Sequence, residues 1–415
     1  MSCFVLSCLI YLSTALPGST LGQLWPSMRV SVHQPTGALG VVLVAGVAAS
    51  ALSSAFTGRL LARMPLSLGR LLVLGAMAIS LALAVESLAP ALWVLAVGSA
   101  VLGLGFGTID TALNVHAAGH FSARSITWMH AGYGLGATLG PLLVTVLLTA
   151  GFGWRSALGF MAGVIAVVGA LLALTRRSWG RPARSGPAPS PQASPSATAG
   201  ARTRRRPRAL AAGVLFMAVE DGIESAAGVW GYVFLTAGRG LPATAAGVAV
   251  SAYWAMMFIG RMLLGPLAAR LGPSRVLAGA VTAVPLGALL TALPASAPVA
   301  VAGMMLLGLA TAPVFPLVTL TAGDRVHADS VATTVGLQIA ASAIGGAVLP
   351  AGVGLVIGAL GAQAVGPSLL LLGLAACSVY WLALRTTPDH DAIGPRPAGH
   401  ERSARLTESR GEEIS

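Results

Sequence analysis

The sequence predicts an all-α polytopic membrane protein with about twelve transmembrane helices in two pseudo-symmetric six-helix halves. Of its 415 residues, 55% are hydrophobic and only 9% are charged. Soluble domains carry about 25% charged residues, so this chain lacks the polar surface that water requires. Its long apolar stretches each approach or exceed the ~20 residues that span a bilayer, and in lipid such stretches must be helices or a closed barrel.

The predicted spans fall into two sets of six. The first set occupies roughly residues 3–27, 37–62, 69–88, 90–115, 126–150 and 153–175. The second set occupies roughly residues 209–236, 242–270, 275–294, 297–322, 331–359 and 363–385. We therefore predict an N-terminal half over 1–175 and a C-terminal half over 209–385. Residues 176–208, rich in Arg, Pro, Ser and Ala, are predicted to be a disordered basic linker, and 386–415 a polar tail.

All 25 basic residues are arginines, and the net charge is +12. This charge does not indicate nucleic-acid binding, because most arginines lie in short gaps between apolar stretches. If the linker is cytoplasmic, only Arg29, Arg155 and Arg239 lie in loops on the opposite side. We therefore expect a monomer in the plasma membrane with both termini cytoplasmic. The arginine, alanine and glycine content indicates a GC-rich bacterial genome.

Motifs for catalysis or energy conversion are missing from the sequence. There is no HExxH or GxGD motif and no P-loop. The three cysteines form no CxxC pair. We therefore expect no enzyme activity, no ATP-driven pump, no cofactor and no metal site.

Two pairs of segments repeat at equivalent places in the two sets of spans. Gly58-Arg-Leu-Leu-Ala-Arg63 follows span two, and Gly265-Pro-Leu-Ala-Ala-Arg270 follows span eight. Gly136-Ala-Thr-Leu-Gly-Pro141 lies in span five, and Gly345-Gly-Ala-Val-Leu-Pro350 lies in span eleven. Six spans, a basic linker and six related spans are the layout of parallel halves around a central site.

The two G-x-x-x-x-R segments resemble the signature loop of the major facilitator superfamily. The resemblance implies that fold, with Gly58, Arg63, Gly265 and Arg270 in gating loops. The signature normally carries an acid four residues after its first glycine. Both halves have alanine there, at positions 62 and 269, so the charge relay of the family at this gate is not carried over.

Further segments resemble the fucose:H+ symporter branch, which includes glucose/galactose transporters. They are Gly103-x-Gly-x-Gly107-x-x-Asp110-x-x-x-Asn114, His130 to Pro141, Gly222-Ile-Glu224 with Trp230, Tyr253-Trp254 with Gly260-Arg261, and Pro313-Val-Phe-Pro316. The resemblance implies proton-coupled transport of a small solute across the bilayer. Sugar symporters of this branch often carry an acid in the first span, where this chain offers only Gln23.

Charged side chains inside the spans are costly and therefore usually line a cavity. In span four, Asp110 and Asn114 share a helix face, so Asp110 is a candidate proton site and Asn114 a ligand for a solute hydroxyl. The alternative for Asp110 is a structural hydrogen bond or an ion pair, for example with Arg124.

Span seven carries three acids near its centre, Glu220, Asp221 and Glu224. Three acids this close cannot all stay ionised without a counter-charge, so a proton or cation would stabilise them. Glu224 matches the branch motif and is our second coupling candidate, while Glu220 and Asp221 are candidates for solute binding. The alternative is a helix that starts later and leaves Glu220 and Asp221 in water.

Six further side chains are candidates for solute binding. Arg261 could neutralise an acid of span seven or hold the solute, and His130 could relay a proton or donate to a neighbouring backbone. Gln338 is the approximate counterpart of His130 in the second half. The aromatic rings could stack on a sugar or pack between helices; they belong to Trp230, Tyr253 and Trp254.

The expected function is proton symport of a sugar or polyol by alternating access, with Na+ as an alternative coupling ion. One alternative is efflux of a drug or natural product by proton antiport. A second alternative is a transport-inactive sensor built on the same fold.

Overall fold

The described part of the chain is entirely helical or irregular. A computed structural model describes residues 3–63, 67–179, 206–322, 325–326 and 331–384. The N-terminal helices are α1 Cys3–Ser31, α2 Leu39–Arg63, α3 Leu68–Ser87, α4 Leu92–His120, α5 Ala123–Thr149 and α6 Trp154–Thr175. The C-terminal helices are α7 Arg206–Val233, α8 Ala243–Leu271, α9 Pro273–Ala292, α10 Ala297–Thr311, α11 Val314–Leu320, α12 Val331–Leu360 and α13 Val365–Val379.

These helices reproduce the predicted spans. Eleven segments of the described residues are long and apolar enough to cross a membrane. The predicted tenth span is broken by a turn at Ala312 and Pro313, so α10 and α11 together form one segment, Ala297–Leu320. The remaining predicted span is α7, which has 28 residues but is not among the eleven. It carries three acids, Glu220, Asp221 and Glu224.

Both ends of the predicted linker are ordered. Arg176–Trp179 forms a 3-10 turn in which the Trp179 ring is fully buried. At the other end, α7 begins at Arg206, slightly before the predicted span. Residues 180–205, the middle of the predicted linker, and 385–415, which include the predicted tail, lie outside the described residues.

The two halves pack by the same pattern. In the first half α1 packs on α5, α2 and α3 pack on α4, and α3 packs on α6. In the second half α7 packs on α12, α8 and α9 pack on α10, and α9 packs on α13. The repeated glycines hold equivalent positions, because a Cβ at Gly136 would overlap the Leu12 carbonyl of α1 and a Cβ at Gly345 would overlap the Ala218 carbonyl of α7. The repeat in the sequence is therefore a repeat in packing.

The halves meet through α1 with α7, α2 with α12, and α5 with α8. Close contacts cluster at the end of the bundle where α1 finishes and α2 begins. They pair Gly22 with Val229, Gly40 with Ala351, and Gly247 with Thr145. At this end, which we call the closed end, side chains larger than glycine would force the helices apart.

Large apolar side chains cover the outside of the bundle. Leu174 is 82% exposed and Leu382 is 88% exposed. Such exposure is unfavourable in water but favourable against lipid tails. The fold therefore sets a lipid-facing exterior around the polar residues described next.

Candidate functional site

An ion pair joins α7 to α8 between the halves. Arg261 Nη2 lies 3.4 Å from Glu224 Oε1, and the two side chains are 41% and 15% exposed. The Tyr253 hydroxyl donates to the Glu224 backbone carbonyl over 3.0 Å. Two side chains of α8 therefore fix the position of Glu224, and Arg261 keeps access to solvent.

The other two acids of α7 lie beside this pair. Glu220 is 2% exposed, and neither of its carboxylate oxygens has a hydrogen-bond partner among the described residues. Asp221 is hydrogen bonded to Ser342 and packs against Gly346, both on α12. Electrostatic interactions link all three acids with Arg261. In the described part of the chain, three carboxyl groups thus share one basic partner, an arrangement that favours binding a proton or another cation.

A hydrogen-bonded cluster surrounds Asp110 in the first half. The Tyr11 hydroxyl donates to Asp110 Oδ1 over 2.7 Å. Asn114 Nδ2 lies 3.1 Å from the same oxygen and 3.0 Å from the Tyr11 hydroxyl. The predicted pairing of Asp110 and Asn114 on one face is therefore observed, with Tyr11 as a third member. The side chain of Arg124, the predicted alternative partner, lies outside the described residues.

His130 and Tyr133 of α5 lie between the two clusters. The His130 ring is 5.2 Å from the Tyr11 ring, and both Asp110 and Arg261 act on it electrostatically. The Tyr133 ring lies 6.3 Å from the Tyr11 ring and is influenced by Glu224 and Asp110. We call the space between the Asp110 cluster and the α7 acids the central chamber. His130 and Arg261, which border this region, are both exposed.

The tryptophans predicted to bind solute have different positions. Trp254 packs edge-on against Tyr253 at 5.4 Å and contacts Gly228 of α7, near the acids. Trp230 is fully buried, and its Nε1 donates to the Pro350 carbonyl over 2.7 Å. The Trp230 ring also contacts Gly354 of α12. Trp230 therefore ties α7 to α12, away from the central chamber.

The remaining predicted residues lie outside the chamber. Gln338 is 2% exposed; its Nε2 faces Gly213, and its Oε1 has no partner within the described ranges. Gly265 has open space around it, and Arg270 is exposed in the last turn of α8. The side chains of the equivalent residues, Gly58 and Arg63, lie outside the described residues.

Sequence reasoning missed three residues of structural interest. Tyr11 and Tyr133 reach the chamber, and Glu86 is 5% exposed at the end of α3, against Gly98 of α4. No spacing rule connects Tyr11 with Asp110, which is 99 residues away. Glu86 was overlooked because the end of a span normally meets water. The signal available for Tyr133 was its place inside the His130 to Pro141 segment.

Gln23 of α1 lies at the closed end. It is 3% exposed, and its Nε2 donates to Thr145 Oγ1 over 2.9 Å. Its Oε1 has no hydrogen-bond partner among the described residues. Gln23 and Thr145 line a cavity of about 90 Å³ together with residues of α7 and α8. Gln23 therefore belongs to the contact between the halves.

Solved structures share this architecture. A variant of the nucleoside transporter NupG superposes with a TM-score of 0.73 at 16% identity, covering 91% of this chain and 98% of that chain. A bacterial homolog of the human lysosomal transporter Spinster, inward-facing and occupied, gives 0.70 at 15% identity, with 92% and 96% covered. The peptide transporter POT in complex with sulfate gives 0.68 at 15% identity, with 92% and 94% covered. At these identities the likeness is one of fold.

The sequence comparisons give the family. No curated protein sequence matches this chain. The family model of the Major Facilitator Superfamily matches residues 3–350 and again 224–410, which together include nearly the whole chain. The repeated helix packing and the likeness to solved transporters agree with that match. The chain belongs to the major facilitator superfamily of membrane transporters.

Proposed function

We propose that this protein is a proton-coupled secondary transporter that takes up a small hydroxylated solute, such as a sugar or polyol. The observation that supports it most is the charge of the α7 cluster, in which Glu220, Asp221 and Glu224 share Arg261 as their one basic partner within the described residues. Repulsion among enclosed carboxylates falls when one of them takes up a proton. Glu224, ion-paired and partly open to solvent, is the proposed coupling residue on this side.

The Asp110 cluster supports the choice of a hydroxylated solute. Tyr11 and Asn114 donate hydrogen bonds to Asp110, and each also has acceptor capacity. Hydroxyl groups of a sugar can both donate and accept, so they can replace these mutual bonds without leaving a polar atom unpaired. The rings of Tyr133 and Trp254 offer faces for an apolar side of the solute. One structural neighbour, NupG, is a nucleoside transporter, and a nucleoside contains a sugar.

Alternating access would proceed by rocking of the halves. With the orientation predicted from arginine, the closed end faces outward and the central chamber opens to the cytoplasm. In the opposite state the contacts of α1 with α7, α2 with α12 and α5 with α8 would separate. Proton binding at Glu224 would release Arg261, which could then hold the solute during this change.

The same acids support a second candidate function, efflux of a cationic drug or natural product by proton antiport. A cation would neutralise the α7 cluster in place of the proton, so the two would compete for one site. The two candidates predict opposite directions of proton movement. A transport-inactive sensor predicts solute binding with no proton movement.

The test uses purified protein in liposomes that contain a pH-sensitive dye. Sugars, polyols and nucleosides are added outside first, and amphipathic cations second. Symport predicts internal acidification on adding a solute, and antiport predicts proton movement opposite to a cation. We expect Glu224→Gln and Asp110→Asn each to reduce the proton signal at least tenfold while the protein remains monodisperse.

Glu86→Gln is the matched control, because Glu86 is also a buried acid but lies outside the central chamber. It should transport like the unaltered protein. Normal proton-driven flux in both Glu224→Gln and Asp110→Asn would disprove the coupling assignment. Equal loss in Glu86→Gln would mean that the loss reflects general damage to buried acids.

A further inference from the structure

A cavity separate from the central chamber lies at the closed end of the second half. It has a volume of about 420 Å³. It is formed where the connections between α7 and α8, α9 and α10, and α12 and α13 come together. Its polar lining consists of Arg239, Gln363 and Ser368, and its main apolar lining of Val356, Leu360 and Leu371.

Arg239 is held rigidly at this cavity. Its Nη2 donates to the backbone carbonyls of Thr291, over 2.8 Å, and Leu293, both at the end of α9. The guanidinium lies 5.1 Å over the Phe234 ring. The Nε–H is buried and has no hydrogen-bond partner among the described residues. The guanidinium is thus positioned in advance, and arginine is well suited to bind an anionic oxygen.

The apolar side of the cavity continues onto the outer surface of the bundle. Leu360 is 75% exposed and Leu371 is 69% exposed. Both belong to helices that cross the membrane, so these side chains face lipid tails. A fixed cation at the helix ends is therefore joined to a lipid-facing apolar surface by one continuous cavity.

We propose that this cavity binds an anionic phospholipid. The phosphate binds Arg239 with the polar side chains of Gln363 and Ser368, and an acyl chain lies along Leu360 and Leu371. Charge complementarity favours this occupant, because the described residues that line the cavity include one arginine and no acid. Helix ends are also the depth at which phospholipid headgroups meet a spanning protein. The site does not depend on the transport reaction.

Arg155 provides a matched control on the first half. Its Nη2 donates to the Ala89 carbonyl over 3.0 Å, and its guanidinium lies 4.2 Å from the centre of the Trp154 ring. It therefore makes the same two kinds of contact as Arg239 but does not line this cavity. Ser368→Trp is a second variant that fills the cavity and leaves the Arg239 contacts intact.

The experiment measures lipid binding to the purified protein by native mass spectrometry in a neutral detergent. Phosphatidylglycerol is compared with phosphatidylcholine of the same chains, and glycerol phosphate is added as a soluble competitor. One arginine near an anionic headgroup contributes about 1 kcal/mol, so phosphatidylglycerol should bind about fivefold more tightly. Arg239→Gln and Ser368→Trp should abolish this preference, and Arg155→Gln should keep it.

Equal binding of the two lipids by the unaltered protein would overturn the proposal. So would a preference that survives Ser368→Trp, since a lipid bound elsewhere would not be blocked there. If glycerol phosphate displaced the lipid fully at equal concentration, the site would be one for soluble phosphates, and the lipid assignment would be wrong.

Discussion

Replacing Arg261 with glutamine should destabilise the protein through the acids of α7. Arg261 is the one basic side chain paired with Glu220, Asp221 and Glu224 in the described ranges. Its removal leaves Glu224 without a counter-charge, and a partly enclosed charge without a partner is unfavourable. Adding Glu224→Gln to the same protein removes that charge, so the double variant should recover part of the lost stability.

The separation of the pair sets the size of this effect. At 3.4 Å, an effective dielectric constant near 20 gives a Coulomb attraction of about 5 kcal/mol. The Arg261 side chain is 41% exposed, so water and salt screen much of that attraction. We therefore expect a coupling free energy of about 1–2 kcal/mol between Arg261→Gln and Glu224→Gln.

The assay is a double-mutant cycle on the free energy of unfolding, measured by denaturant titration in mixed micelles. The cycle is repeated at low and high salt, where the coupling should shrink because the pair is partly exposed. Arg270→Gln is the control, since Arg270 is exposed on the same helix; combined with Glu224→Gln it should be additive. A coupling below about 0.5 kcal/mol for Arg261 and Glu224 would refute the reasoning, because measurements on distant sites scatter by that amount.

Three further variants test the packing. Trp230→Phe removes one buried hydrogen bond and should lower the free energy of unfolding by about 1 kcal/mol, with the solute KM unchanged. Gly345→Leu places a side chain where even a Cβ would overlap the Ala218 carbonyl, so this variant should fail to give monodisperse protein. The control is Gly352→Leu, which has open space around it and should give monodisperse protein. Gln23→Glu removes the donor to Thr145 and encloses a charge at the closed end, which should weaken the contact between the halves. Cysteines introduced at the closed end should therefore react faster with a membrane-impermeant reagent in Gln23→Glu than in Gln23→Met.

The helices and their repeat were predictable because they follow from local properties. Apolar length predicts eleven of the spans in the described residues, and α7 is the span that its three acids make less apolar. The Gly136 and Gly345 segments are recognisable in the sequence because close helix packing tolerates few residue types. The ion pair of Arg261 with Glu224 was one of two open alternatives for Arg261. Periodicity placed Asp110 and Asn114 on one face, since residues four apart on a helix are neighbours.

The contacts between helices were not predictable in the same way. Helical periodicity states which residues share a face but not which helix that face meets. Tyr11 meets Asp110, and Trp230 meets α12, only because of the order in which the helices pack. The resemblance that suggests solute binding by Trp230 rests on its position in the sequence. That position does not determine whether the indole points toward the central chamber or toward α12.

The acids of the two halves have different surroundings. In the first half, the neutral groups Tyr11 and Asn114 donate hydrogen bonds to Asp110. Among the described residues of the second half, the three acids of α7 share the single basic partner Arg261. An acid at Gln23 would lie at the closed end, far from Arg261, and would oppose the contact between the halves. A glutamine at that position leaves the closed end without an enclosed charge, whereas Glu224 of α7 has Arg261 as its partner.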